Sequence, residues 1–201
     1  MALSLRADEF LKLEEFKTLN KEEMISEFEK QTAYRIFEQG TTFAAFDGEQ
    51  LVSYYFTYDL TFEPFAEVDK LNSQQQVIRN IRLDAIELLK PQPGLYRYLG
   101  YTTTKEEYRR NKLIWKLSLS AMKESISKGY RYGVFSIASL AMLRLCQSIG
   151  CKIIKYYGPI DENDKKNYYF GEGEFSKDMA VRGIAVFDSN SIDASILNAR
   201  L

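Results

Sequence analysis

Two hydrophobic periods alternate along the chain, and the switches between them mark the elements. Asn20-Lys21-Glu22-Glu23 sets an N-cap residue three positions ahead of a glutamate, which is a helix start. The helix then carries Met24, Ile25 and Phe28 towards Ala33, and Gly40 ends the helical region. Residues 41–46 and 51–60 are β-rich runs about a turn containing Asp47-Gly48, which predicts a hairpin over roughly 41–60. Glu63-Pro64 breaks that pattern. From Asn72 to Lys90 the apolar positions Val77, Ile81, Ala85, Leu88 and Leu89 recur at helical spacing. Pro91 and Pro93-Gly94 end that helix. A tyrosine-rich β segment covers 95–103, and a second long helix runs from about Tyr108 to Lys128, closed by Gly129. The remainder reads as a strand at 132–137, a helix at 139–149 ended by Gly150, and a strand at 151–157. A polar turn at 161–166 and a last strand near 179–187 follow. This order predicts an α/β chain with a mixed sheet covered by helices.

Composition narrows what such a sheet can do. The 201 residues suggest one domain over 1–201, and the 45% apolar, 27% charged balance suits a chain able to bury a core. Lys plus Arg is 27 against 28 for Asp plus Glu, a net charge of −1 that argues against nucleic-acid binding. No apolar run is long enough to cross a bilayer, and residues 1–10 hold no signal-peptide core, so a cytoplasmic protein is expected. Two cysteines, Cys146 and Cys151, do not make a disulfide framework. Histidine is absent. Nucleophilic systems that need a histidine base are thereby excluded, and the commonest zinc ligand is missing, so no metal is expected. Acid–base work must fall to carboxylates, tyrosines, cysteines, lysines or bound water.

One stretch stands against ordinary helix electrostatics. Glu106-Glu107-Tyr108-Arg109-Arg110-Asn111-Lys112-Leu113-Ile114-Trp115-Lys116-Leu117 brings four cations to the start of a helix, the end that already carries partial positive charge. Either an anion binds there, or the cations face solvent and pair with Glu106, Glu107 and other acids.

The segment 95–154, with Tyr108-Arg109 at its centre, resembles the GNAT superfamily of acyl-CoA-dependent N-acyltransferases, and the chain resembles in particular its arylalkylamine (dopamine) N-acetyltransferase-like branch. That family's fourth strand leads into a loop reading Arg or Gln, two residues, Gly, one residue, then Gly or Ala. A later helix ends in Leu-Gly-Phe, and Ile149-Gly150-Cys151 holds that place. Between Tyr108 and Cys151 the spacing is gapless, with Gly129 and Arg144 on matching positions. The run 41–52 is similar to the branch's second and third strands, and 159–170 to its later turn. The resemblance covers roughly 41–187.

The resemblance implies a GNAT-like, mostly antiparallel central sheet flanked by helices, and transfer of an acetyl or other acyl group from CoA to a small primary amine. It implies acyl-CoA as cosubstrate and a monomer or homodimer. The loop would bind the CoA pyrophosphate through Arg109, Arg110, Asn111, Lys112, Leu113 and Ile114, although Lys112 and Arg110 stand where glycine is usual. Thr102, Thr103 and Thr104 end the strand that pairs with pantetheine, with Thr102 and Thr104 as backbone candidates. The branch's base sits in Asp-Glu-Pro-Leu, and Asp8-Glu9-Phe10-Leu11 implies Glu9. If residues 1–16 instead supply the first strand, Glu27 or Glu29 is the fallback. Ser139 coincides with one of the branch's serines or is a helix N-cap, while Ala138 and Met142 replace the two catalytic ones. Cys146 takes the place of the family's acid tyrosine and reads as core. The aromatics Tyr54, Tyr55, Phe56, Tyr96, Tyr98, Tyr101, Tyr156 and Tyr157 line an acceptor pocket or fill the sheet core. Asp59 and Glu63 hold an ammonium group or belong to a solvated loop. The rival to an enzyme is a GNAT-fold module that binds a ligand or protein partner without catalysis.

Overall fold

A computed structural model describes residues 1, 2, 4, 5, 8, 27–65, 73–137, 140–159 and 181–191. Helix α1 spans Glu27–Gln39, and the hairpin follows as β1, Thr41–Asp47, and β2, Gln50–Asp59. Asp47 pairs with Gln50, so the turn is Gly48-Glu49, and Gly48 takes the positive φ of 57° that it needs. Helix α2, Ser73–Leu89, leads to β3, Tyr96–Thr104. Helix α3, Leu113–Ser127, strand β4, Tyr132–Ile137, and helix α4, Leu140–Ser148, come next. Strands β5, Lys152–Pro159, and β6, Val181–Asp188, complete the described elements.

The six strands form one sheet in the order β1-β2-β3-β4-β6-β5. Only β3 and β4 pair in parallel, with α3 as their crossover; every other neighbouring pair is antiparallel. Strand β6 inserts between β4 and β5, so α4 does not connect adjacent strands. No helix among the described residues is long and apolar enough to cross a membrane.

Strand alternation divides the core in two. On one face Tyr55, Leu99 and Phe135 pack under Leu119 and Met122 of α3 and Leu145 and Cys146 of α4. On the other, Tyr54, Phe56, Tyr58, Tyr98 and Val134 meet Ile36 of α1 and Ile81 and Ala85 of α2. The strand aromatics are therefore mostly sheet core: Tyr54, Tyr55, Phe56 and Tyr98 are all buried, whereas Tyr96 is partly exposed and stacks on Tyr132. Leu5 joins the second core. Ala2, Ser4, Leu5 and Asp8 are helical, and the Leu5 N–H donates to the Met1 carbonyl at 2.9 Å. A first strand in this segment is thus ruled out at those positions.

Candidate active site

The site begins with a defect in β3. Tyr55 pairs with Thr102 but Phe56 pairs with Gly100, so Tyr101 is an extra residue bulged out of the ladder at φ 53°. A bulge bends its strand and raises the local twist. The parallel pairing with β4 runs from Tyr96–Tyr132 to Leu99–Phe135 and stops there, while β3 continues to Thr104 and β4 to Ile137. Beyond the bulge the two central strands splay apart.

Past the splay, β3 stays fixed to β2 through hydroxyls. Thr102 donates to the Tyr54 carbonyl at 2.9 Å, and Thr103 to the Tyr54 hydroxyl at 3.3 Å. Ser53 shares a 2.7 Å bond with the Thr104 hydroxyl and donates to the Thr103 carbonyl at 3.1 Å. The strand edge turned away from β2 loses its β4 partner over these residues.

Strand β3 then runs into a turn rather than straight into a helix. A single 3₁₀ turn covers Glu106–Tyr108, with the Tyr108 N–H bonded to the Lys105 carbonyl and the Arg109 N–H to the Glu106 carbonyl, both at 3.0 Å. The Tyr108 hydroxyl donates to Asp47 at 2.5 Å and ties the turn to the hairpin; that bond raises the phenol's pKa. Arg109 is extended, Arg110 has φ 69° and Lys112 has φ 57°. The helix thus starts at Leu113, five residues later than the sequence reading places it, because left-handed residues interrupt any helix drawn from Tyr108. Arg110 and Lys112, two positions where the resemblance led us to expect glycine, both adopt the conformation glycine favours. Ordinary residues hold it at about 1 kcal/mol each.

These dihedrals leave the helix end open. Lys112 makes no side-chain cap, and the first helical bond runs from the Lys116 N–H to the Lys112 carbonyl at 3.0 Å. The N–H groups of Leu113, Ile114 and Trp115 therefore have no helical acceptor. Around them Arg109, Arg110, Asn111, Lys112 and Lys116 are exposed. Arg109 reaches back to the Thr104 carbonyl at 3.4 Å, and Lys105 pairs with Glu107 at 3.8 Å.

Beside this helix start lies a cleft of about 440 Å³, bounded by Thr102 of β3, Ile114 and Trp115 of α3, and Met142, Arg144, Leu145 and Ser148 of α4. The structure gathers Thr102, Thr103, Thr104 and the 109–114 loop along one path at the splay. It adds Trp115 and Arg144, which sequence spacing does not connect because α3 and α4 meet only in the tertiary fold. The matched position of Arg144 was the one available signal. An apolar trough ending in cations and free amides suits a long amphiphile with a phosphorylated end.

Other sequence candidates lie elsewhere. Glu9 and Ser139 fall outside the described residues, as do the side chains of Glu27, Glu29, Tyr156 and Tyr157. Cys146 is fully buried core, and its neighbour Cys151 has a raised pKa through bonding to Cys146 and burial. Asp59 is occupied: one carboxylate oxygen accepts from the Thr61 N–H and hydroxyl, the other from the Gly94 N–H at 2.6 Å. Glu63 pairs with buried Arg82 at 3.0 Å and with Arg79 at 3.5 Å. Both carboxylates therefore serve the loop after β2, with structural partners in place of an ammonium ligand.

No family model matches the chain, and no curated protein matches it in sequence. Solved structures do match its fold. The C-terminal condensation domain of Ebony, in complex with β-alanyl-dopamine, is 10% identical with TM-score 0.68, over 93% of this chain and 92% of that one. A putative arylalkylamine N-acetyltransferase 7 from the yellow fever mosquito is 12% identical with TM-score 0.62, over 92% and 81%. A Bacillus subtilis acetyltransferase in complex with CoA is 14% identical with TM-score 0.52, over 90% and 91%. Bulged and splayed at its centre and opening beside an uncapped helix, the chain has the GNAT fold.

Proposed function

We propose that the protein is an N-acyltransferase that moves an acetyl or other acyl group from CoA to a small primary amine. One observation carries the reading: Arg110 and Lys112 hold left-handed backbone that leaves the amides of Leu113–Trp115 open beside the splay and cleft. The diphosphate of CoA would take those amides, with Arg109, Arg110, Lys112 and Lys116 adding charge. Pantetheine would follow the β3 edge at Thr102–Thr104 into the splay. Neighbours of this fold in complex with CoA and with β-alanyl-dopamine support a thioester donor and an amine partner.

The transfer would proceed by direct attack in a ternary complex. The neutral amine adds to the thioester carbonyl, the C–N bond forms as the C–S bond breaks, and the amine proton leaves as the thiolate gains one. Glu9 is our candidate base and Ser139 a candidate hydroxyl at the thioester, both from their places in the family pattern. The chain would act in the cytoplasm as a monomer or homodimer.

The test is thiol release from acetyl-CoA across a panel of primary amines, with calorimetric titration of CoA alongside. Micromolar binding with protein-dependent thiol release is expected, and Arg109→Ala/Lys112→Ala should weaken CoA and flatten its salt dependence. No heat at high micromolar CoA contradicts the reading. A second reading, a ligand-binding module without turnover, draws on the burial of Cys146 where the family has its acid. Binding without any thiol release would favour it.

A further inference from the structure

The face of the splay opposite the cleft carries a hydroxyl pair with no assigned role. Ser136 lies one residue past the last β3–β4 pair, on the α1–α2 face together with Val134. It is half-buried, and its hydroxyl bonds to that of Tyr98. The Tyr98 ring is 1% exposed and directly opposes Tyr58 in register, at a centroid distance of 5.1 Å. Gly100 makes this placement possible: a Cβ there would lie 2.5 Å from Tyr98 Cε1. The ring therefore leans along β3 over Gly100, and its hydroxyl ends at the point where the strands part.

Burial is the largest cause of the raised Tyr98 pKa, so the phenol stays neutral at ordinary pH. A neutral phenol held against a serine can donate to its oxygen, leaving the serine proton and a second lone pair for another group. The neighbouring Tyr58 hydroxyl is also buried, with no hydrogen-bond partner among the described residues.

We infer that Ser136, rather than Ser139, is the proton-relay hydroxyl of the transfer and Tyr98 its positioning residue, with Glu9 neutralising the ammonium form before this step, an inference that rests on the N-acyltransferase reading above. A thioester brought into the splay from the cleft side would meet Ser136 on the opposite face, from which the amine would approach. As the amine nitrogen bonds to the carbonyl carbon, its proton passes to Ser136 Oγ. The serine's own proton passes to the sulfur that leaves with the C–S electron pair. The serine ends as it began, and no charged base is created. This suits a chain without histidine.

The experiment compares Ser136→Ala, Tyr98→Phe, the double variant and Tyr58→Phe in steady-state kinetics, with CoA affinity measured by calorimetry. Ser136→Ala should lower kcat about 100-fold with CoA affinity within about twofold of the parent. Tyr98→Phe should lower it about 10-fold, and the double variant should be no worse than Ser136→Ala alone, as for groups acting as one unit. The parent should show a curved proton inventory in mixed water and heavy water, and Ser136→Ala should lose that curvature. Tyr58→Phe removes a hydroxyl from the adjoining ring and should retain kcat within about twofold. A Ser136→Ala kcat within twofold of the parent overturns the relay, as does an equal fall in Tyr58→Phe. A parent protein that binds CoA without releasing thiol overturns the relay and leaves the CoA site standing. Absence of CoA binding overturns the parent reading and the relay with it.

Discussion

Arg110 and Lys112 show how a loop can hold a glycine-like backbone shape without glycine. Their φ values of 69° and 57° are those glycine supplies without a Cβ penalty. The sequence shows long side chains at both positions but not the backbone conformation they adopt, which left anion binding and a solvated helix start both open. Glycine at either position should therefore be more stable than alanine by about 1 kcal/mol, the reverse of the order inside a helix. Thermal unfolding of Arg110→Gly against Arg110→Ala, and of the same pair at Lys112, measures this directly. Alanine equal to glycine at both sites would show that the left-handed geometry is not held in solution. Asp59 and Glu63 teach the opposite lesson. Their acidity was legible, yet their partners, Gly94 and Arg82, lie 35 and 19 residues away and appear only in the fold.

Among elements, the hairpin and the helices follow closely from periodicity, because Asp47-Gly48, Pro91 and Gly129 punctuate the chain where local geometry requires it. The bulge at Tyr101 does not. Nothing in Gly100-Tyr101-Thr102 announces which residue is extra, since register is settled by pairing with β2. The start of α3 lies later than the sequence suggests because no glycine or proline in Tyr108–Lys112 announces the left-handed backbone at Arg110 and Lys112. The β4–β6 ladder has its own clamp at the end far from the splay. Arg131 donates to Asp188 through Nε at 3.3 Å and a second guanidinium nitrogen at 3.1 Å. That pairing lowers the Asp188 pKa, so its contribution to stability is complete above the ordinary aspartate pKa near 4 and fades as pH falls through the lowered folded value. Asp188→Asn should lower the unfolding temperature at pH 7 and converge with the parent once the pH falls below the lowered folded value, where both side chains are neutral. A difference that does not change with pH would assign the effect to packing instead of charge.

Across the whole molecule, a buried cation stitches the cleft-side helix to the sheet. Arg97 is 3% exposed, donates to Thr57 and Thr41 at 2.8–3.1 Å, stands 3.9 Å from Glu124 of α3, and lies over the Tyr130 ring at 5.0 Å. Glu124 also accepts from Thr41 at 2.9 Å and pairs with Lys128. Removing one partner of a buried pair is strongly destabilising, so Arg97→Ala should cost about 3 kcal/mol in denaturant unfolding. A loss below about 1 kcal/mol would show that water reaches the site. The architecture was legible in the sequence because helix and strand periods are local. The site was legible only along the chain: Thr102–Thr104 and the 109–114 loop were named, whereas Trp115, Arg144, Tyr98 and Ser136 gain their meaning from contacts across elements.

Open amides at the start of α3 would receive the diphosphate of CoA, and residue-resolved NMR of the amide protons during titration with CoA tests this most directly. The largest shifts are expected at Leu113, Ile114 and Trp115, saturating at micromolar CoA and weakening as salt rises. Saturable binding that leaves those three amides unmoved, or no shifts at all, would contradict it.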